Sequence, residues 1–304
     1  MRVVYFGTSD FAVPALERLT QHVVLVVTQP DRPSGRGMEL RPSAVKQAAL
    51  RLGLQVETPV KSRKPEFVER LASLQPDLFV VASYGQILSR ALLDVPKHGS
   101  VNLHASVLPH FRGAAPIQYA LLNGECETGV TVMMMDEGMD TGDIVASATI
   151  EIGKEETAGD LHDRLADLAA ALAAEWVPKI AQGSFPRTPQ DDEQATYAPK
   201  VTKQDAQLRF DRPAKAEFDR YRAFTPHPGA FLALPSGTLR VHRARLGQGG
   251  ASPGTVLAVR PDLEVAFADG SLVLDKVQPQ GRKAMGGSDF ANGARIAAGD
   301  CLLL

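Results

Sequence analysis

Five short apolar runs, separated by stretches of helical periodicity, limit most severely what the first half of this chain can fold into. They are VVYFG (Val3–Gly7), VVLVV (Val23–Val27), LFVVAS (Leu78–Ser83), SVNLH (Ser100–His104) and VTVMMM (Val130–Met135). Between them lie amphipathic segments around Phe11–Leu19, Ser43–Leu52 and Pro65–Leu74, the first preceded by the helix-start residues Thr8, Ser9 and Asp10. Strands that are apolar throughout are buried on both faces, and strands alternating with helices imply βαβ units. The expected class is therefore α/β: a Rossmann-like, mostly parallel sheet with helices on both faces. Its first strand–helix turn, GTSDFA, has Gly7 as its only glycine. That turn lacks the G-x-G-x-x-G spacing that lets a backbone approach a pyrophosphate, so dinucleotide binding has no support. No Walker A motif is present either.

A long helical pattern over Ala158–Ile180 leads into Gly183–Lys200, rich in Pro, polar residues and charge. Short strand patterns separated by turn residues follow, as in a small barrel or sandwich. The expected organisation is a catalytic domain at 1–188, a linker at 189–207 and a smaller β domain at 208–304. Charge divides the same way: residues 200–304 hold 15 Lys and Arg against 10 Asp and Glu, while residues 1–199 hold 18 against 25. With a total of −2 the chain is no general coat for nucleic acid, although a basic C-terminal part suits an RNA partner. No run approaches the roughly 20 apolar residues of a membrane span, and the N-terminus offers no signal-peptide pattern. The two cysteines, Cys126 and Cys301, lack metal-ligand spacing and are expected to be free thiols. A cytoplasmic location follows as the expectation.

Two segments concentrate the chemistry. In NLHASVLPHFRGAAP (Asn102–Pro116), Asn102 and His104 stand two apart at the end of an apolar strand and so share one face. Ligands of open parallel sheets bind beyond the strands' carboxyl ends, where this pair would lie. In MMMDEGMDTGDIV (Met133–Val145), Asp136, Glu137 and Asp140 fall in a loop whose Gly138 and Gly142 permit tight or left-handed geometry. Because this loop follows another strand, it could meet the Asn-His strand end. A hydrated acidic hairpin is the alternative.

HASVLPHFRGAAPIQYALLNGE with the spaced DEGMDTGDI resembles the signature of the folate-dependent formyltransferase family. FGTSDFAVPAL, TQPDRPSGRG, SYGQIL, YAPKVTK, FTPHPGAF and QPQGRKAM extend the resemblance over nearly the whole chain. They point to the branch that formylates methionine carried on initiator tRNA rather than the branch acting on amino sugar nucleotides. His227 departs from the pattern, which more often has Trp there.

The resemblance implies a catalytic trio of Asn102, His104 and Asp140, no metal, and 10-formyltetrahydrofolate as formyl donor. It further implies folate contacts from Ser106, Val107, Leu108 and Pro109, from Tyr84, Gly85, Gln86, Ile87 and Leu88, and from Met135. The C-terminal part would be an OB-like barrel that supports tRNA. Arg32, Arg36 and Arg41, in the loop Thr28–Lys46, and Lys200 and Lys203 would meet the initiator methionyl-tRNA. A monomer is expected. Between Arg32 and Lys64 there are eight Lys and Arg but only two acidic residues, which suits phosphate contacts. Arg240, Arg243 and Arg245 fall on one strand, Arg243 being expected on the face opposite the other two.

Overall fold

The computed structural model describes residues 1–34 and 39–303. They divide into two units. The first comprises Met1–Pro116, Glu127–Ile150 and His162–Ala198; the second comprises Ile117–Cys126, Glu151–Leu161 and the chain from Pro199 onward.

Unit one is built on seven strands: β1 (Val3–Gly7), β2 (Val23–Val27), β3 (Val56–Glu57), β4 (Leu78–Ala82), β5 (Ser100–His104), β6 (Glu127–Met134) and β7 (Ile144–Glu151). Their spatial order is β7-β6-β5-β4-β1-β2-β3. The pairs β1–β2, β1–β4, β2–β3 and β4–β5 are all parallel. Every residue of β1 and β4 is buried, as strands covered on both faces require. Val4 and Phe6 pack one face with Leu25, Val27, Phe79, Val81 and Leu71. Leu71 belongs to α3 (Pro65–Ser73), which follows α1 (Val13–Leu19) and α2 (Ala44–Arg51) in the chain. Tyr5, one residue along, points the other way and donates its hydroxyl to Ala12 O at 2.6 Å, just ahead of α1. The strand–helix alternation read from the sequence is thus a doubly covered, parallel-dominated sheet.

The fifth apolar run behaves differently. β6 runs antiparallel to β5, with Val101 opposite Met134 and His104 opposite Thr131. It therefore ends beside the start of β5, away from His104. The loop after it has to fold back to reach the Asn-His pair, and it does so through a tight return into β7, where Met134 N donates to Asp143 O at 2.8 Å.

Unit two is a curled sheet of short strands: β8 (Gln207–Leu208), β9 (Phe231–Leu234), β10 (Gly237–Leu246), β11 (Val256–Ala258), β12 (Leu263–Ala266) and β13 (Ser271–Pro279), ordered β8-β9-β10-β13-β12-β11, with Met285–Gly286 paired to β13. The long strands β10 and β13 form its spine. Arg243 and Arg245 both lie beside Asp275, at 3.7 and 3.3 Å, so they share a face. That corrects the expected orientation of Arg243: the pairing register shifts between Val241 and Ala244, and around this irregularity Arg240, Arg243 and Arg245 all lie away from the buried Leu239, Val241 and Ala244. Arg240 instead donates to the carbonyls of Pro226 and Pro228. Both cysteines are free, and no helix among the described residues is long and apolar enough to cross a membrane.

Candidate active site

β5 ends with Ser100, Asn102 and His104 on one face. Asn102 is half-buried, and the His104 side chain is 5% exposed. Burying an imidazole without partners would cost about 1–3 kcal/mol per polar atom. The two ring nitrogens have different surroundings. Nε2 lies 3.0 Å from Phe111 O. A carbonyl only accepts, so Nε2 carries hydrogen and Nδ1 is the nitrogen free to gain or lose a proton. Nδ1 faces Asp140 Oδ2 at 3.7 Å.

Asp140 is held from two sides. Its Oδ2 accepts from Gly113 N–H at 2.8 Å, and its Oδ1 lies 3.4 Å from Asn102 Nδ2. The structure thus brings all three sequence-predicted catalytic residues together. It does so by a route the sequence reading did not contain, since the loop doubles back from the far end of β5. Left-handed geometry in this loop belongs to Asp140 itself, at φ 56°, and to neither glycine. Gly142 is required for another reason: a Cβ there would sit 1.9 Å from Met134 O. Phe111, whose carbonyl holds the imidazole, is also left-handed at φ 60°. For a bulky residue that conformation stores roughly 1–3 kcal/mol and persists only where surroundings enforce it.

The enforcing element is the stretch 188–198, part of which composition reads as linker. Phe111 N donates to Thr196 Oγ1 at 2.8 Å, and Tyr197–Ala198 pairs in parallel with Arg112–Gly113. Gly113, at φ 119°, approaches so closely that a Cβ would meet Ala198 O at 2.7 Å. Sequence reasoning missed the side chains that tie this layer together. Arg112, only 2% exposed, donates to Gln190 Oε1 through Nε (3.0 Å) and Nη2 (2.8 Å) and to Asp192 Oδ1 at 2.8 Å. Thr131, fully buried, donates to Ser106 O at 2.7 Å and accepts from Leu108 N at 3.1 Å, fixing the 106–109 loop on β6. Both Arg112 and Thr131 are polar residues inside otherwise apolar or turn-rich segments, which was the available signal.

The residues expected around the folate separate into supports and exposed groups. Ser106 is fully buried and donates to His110 O at 2.6 Å; Leu108 is buried, while Val107 and Pro109 are half-buried. Tyr84 packs edge-on to Phe6, its ring centroid 5.3 Å away, and burial pushes its phenol above the usual range. Leu88 and Met135 pack into the same core cluster. Gln86 donates to Pro59 O and accepts from Ser62 N. Gly85 adopts φ 79°, and Ile87 is 90% exposed, a large apolar group facing outward beside the site loops.

Beyond the carboxyl ends of β1, β2 and β4, where strand order reverses, lies a cavity of about 340 Å³. Thr8, Ser9, Arg32, Arg41 and Ser43 line it, together with Tyr84. The guanidinium of Arg32 donates to Gln29 Oε1. Arg36 lies outside the described residues. Lys200 and Lys203 are exposed and make no ion pair among the described residues. Among the described residues no group of three or more His, Cys, Asp or Glu could hold a metal ion.

A parallel-dominated sheet with a buried imidazole and a held carboxylate at one strand end is the framework of an α/β enzyme. Residues 1–177 match the formyl transferase family model, and residues 200–295 match that of the formyl transferase C-terminal domain. The chain belongs to the formyl transferase family. It is 44% identical over 306 residues to the methionyl-tRNA formyltransferase of Citrifermentans bemidjiense, covering 99% of this chain and 96% of that one. With the methionyl-tRNA formyltransferase of Myxococcus xanthus it is 46% identical over 301 residues, covering 98% and 96%. Among solved structures, an N-formyltransferase from Helicobacter canadensis in complex with folinic acid and dTDP-3-aminofucose superposes with a TM-score of 0.69. Identity there is 18%, over 90% of this chain and 98% of that one, a likeness of fold.

Proposed function

We propose that this chain transfers the formyl group of 10-formyltetrahydrofolate to the amino group of methionine on initiator tRNA, acting as a monomer in the cytoplasm. The observation that carries the chemistry is Asp140 held between Gly113 N–H, Asn102 and the free nitrogen of His104. The acceptor rests on 42–46% identity, over nearly full length, to proteins that bear that name.

Formyl transfer needs an amine to attack the formyl carbon, donors for the oxyanion that develops, and a proton for the departing folate nitrogen. Asn102 has two amide hydrogens; one faces Asp140 and the other is available to the oxyanion. Removing one such donor typically costs about 10²–10³-fold in rate. As the amine lone pair forms the new C–N bond, the carbonyl π pair moves to oxygen. Collapse returns that pair, breaks the bond to the folate nitrogen, and leaves that nitrogen to take a proton. The amine must lose one. His104 Nδ1, with Nε2–H pinned on Phe111 O, is the proton carrier, and Asp140 stabilises it when charged. The same carboxylate can receive the amine's proton through a water.

The site loops 84–88 and 106–109 with Met135 form the donor side. Arg32 and Arg41, which line the cavity at the strand-order reversal, Arg36 between them in the sequence, and the exposed Lys200 and Lys203 are the residues assigned to tRNA. On this reading residues 1–188 are the catalytic part, 189–207 the connection and 208–304 the tRNA support. Neutralising Arg36 or Arg41 should raise KM for charged tRNA at least several-fold, steeply with salt, and leave folate affinity unchanged. Equal effects on both substrates would overturn the assignment of this loop. The function itself is tested by incubating the protein with 10-formyltetrahydrofolate and methionine-charged initiator tRNA and looking for formylmethionine by mass spectrometry. Product with an amino sugar nucleotide, and none with the tRNA, would replace the acceptor.

A further inference from the structure

Gln190 sits outside the catalytic trio, in a stretch whose composition suggests a connection, yet its amide is fully used. Nε2 donates to Asp140 O at 2.9 Å and to Gly142 O at 2.7 Å. Oε1 accepts two hydrogen bonds from the buried Arg112 guanidinium. Chemistry fixes which way round the amide lies: guanidinium can only donate and backbone carbonyls can only accept. Two donors and two acceptors are therefore all satisfied, at a carboxamide that bridges a buried cation and the backbone on either side of Thr141.

We propose that Gln190 is a positioning residue for the transfer reaction. It pins the carbonyls of Asp140 and Gly142, and so keeps residue 140 left-handed with its carboxylate on Gly113, Asn102 and His104. The backbone next to it has a further anchor, since Thr188 and Ile144 exchange hydrogen bonds at 2.8 and 2.9 Å. Arg112 supplies the other end of the bracket, tied down by Asp192. Left-handed Asp costs energy that the hairpin alone does not repay, so the strap across it sets where the carboxylate stands. Near-attack geometry is sensitive at this scale: a displacement of about 1 Å can cost about 10²-fold in rate.

This inference rests on the formyl-transfer reading, and its test separates the two. Gln190→Glu has the same shape and still accepts from Arg112, but it turns an oxygen toward both carbonyls. Gln190→Met keeps the length and removes both kinds of polar atom. Each variant is compared with the wild-type chain for single-turnover formylation at saturating substrates, for folate Kd, and for melting temperature. Both should lose about 10²-fold in kcat with folate Kd within twofold of wild type, although only the Met variant leaves the guanidinium short of an acceptor. If support of Arg112 were the whole role, Gln190→Glu would turn over like wild type, and that result overturns the proposal. So does a loss of kcat matched by an equal loss of folate binding, which marks general loosening. No transfer by the wild-type chain would instead overturn the formyl-transfer reading.

Discussion

His104→Ala should lower kcat by about 10²–10⁴-fold, the range for removing a proton-transfer group, with folate Kd nearly unchanged. The reason is in the two nitrogens. Nε2 is committed to Phe111 O, so it orients the ring without taking part in the chemistry. Nδ1 is the only nitrogen able to exchange a proton at the site, and alanine leaves nothing in its place. Folate contacts are assigned to other loops, so affinity for the donor should survive. Asp140→Asn is the companion variant. It can still accept from Gly113 N–H, so the loop keeps its shape, but the charge facing Nδ1 is gone. Its loss should also fall on kcat. Single-turnover rates with an independent folate titration check both. Wild-type turnover by His104→Ala would remove the imidazole from the mechanism, and the same result for Asp140→Asn would leave the carboxylate a loop anchor.

How much of this was legible in the sequence differs from element to element. β1, β2, β4 and β5 are short apolar runs bounded by turn residues, and such runs have few alternatives to a buried strand. β6 was equally legible as a strand, but its direction was not: an apolar run reads the same whichever way it pairs, and the antiparallel choice is made by tertiary packing. Asn102 and His104 could be put on one face by a spacing of two. Their union with Asp140 could not be read from periodicity, because it depends on a loop folding back along the sheet. Gln190 was least legible of all. Its neighbours Pro189, Asp191 and Asp192 read as connection, and only the carbonyls of Asp140 and Gly142, some fifty residues away, give its amide a purpose.

Gly142→Ala should be as damaging to turnover as a change to a reacting group, although residue 142 carries no side chain that could take part. Its Cβ would stand 1.9 Å from Met134 O and 2.9 Å from Met134 C, both backbone atoms of the strand edge against which the loop is closed. Neither can rotate aside as the end of a side chain would, so the hairpin has to open. Opening moves the Gly142 carbonyl off Gln190 and with it the turn that sets Asp140. Overpacking of this kind costs about 1–3 kcal/mol of stability. The rate should fall by about 10²-fold as the carboxylate drifts from Nδ1. Gly250→Ala is the matched control, because its Cβ would meet nothing within 4 Å. Urea unfolding and single-turnover formylation of the two variants side by side decide the matter. Parity between them would mean that the hairpin has slack, and that the carboxylate is placed by its hydrogen bonds alone rather than by the closeness of the turn beneath it.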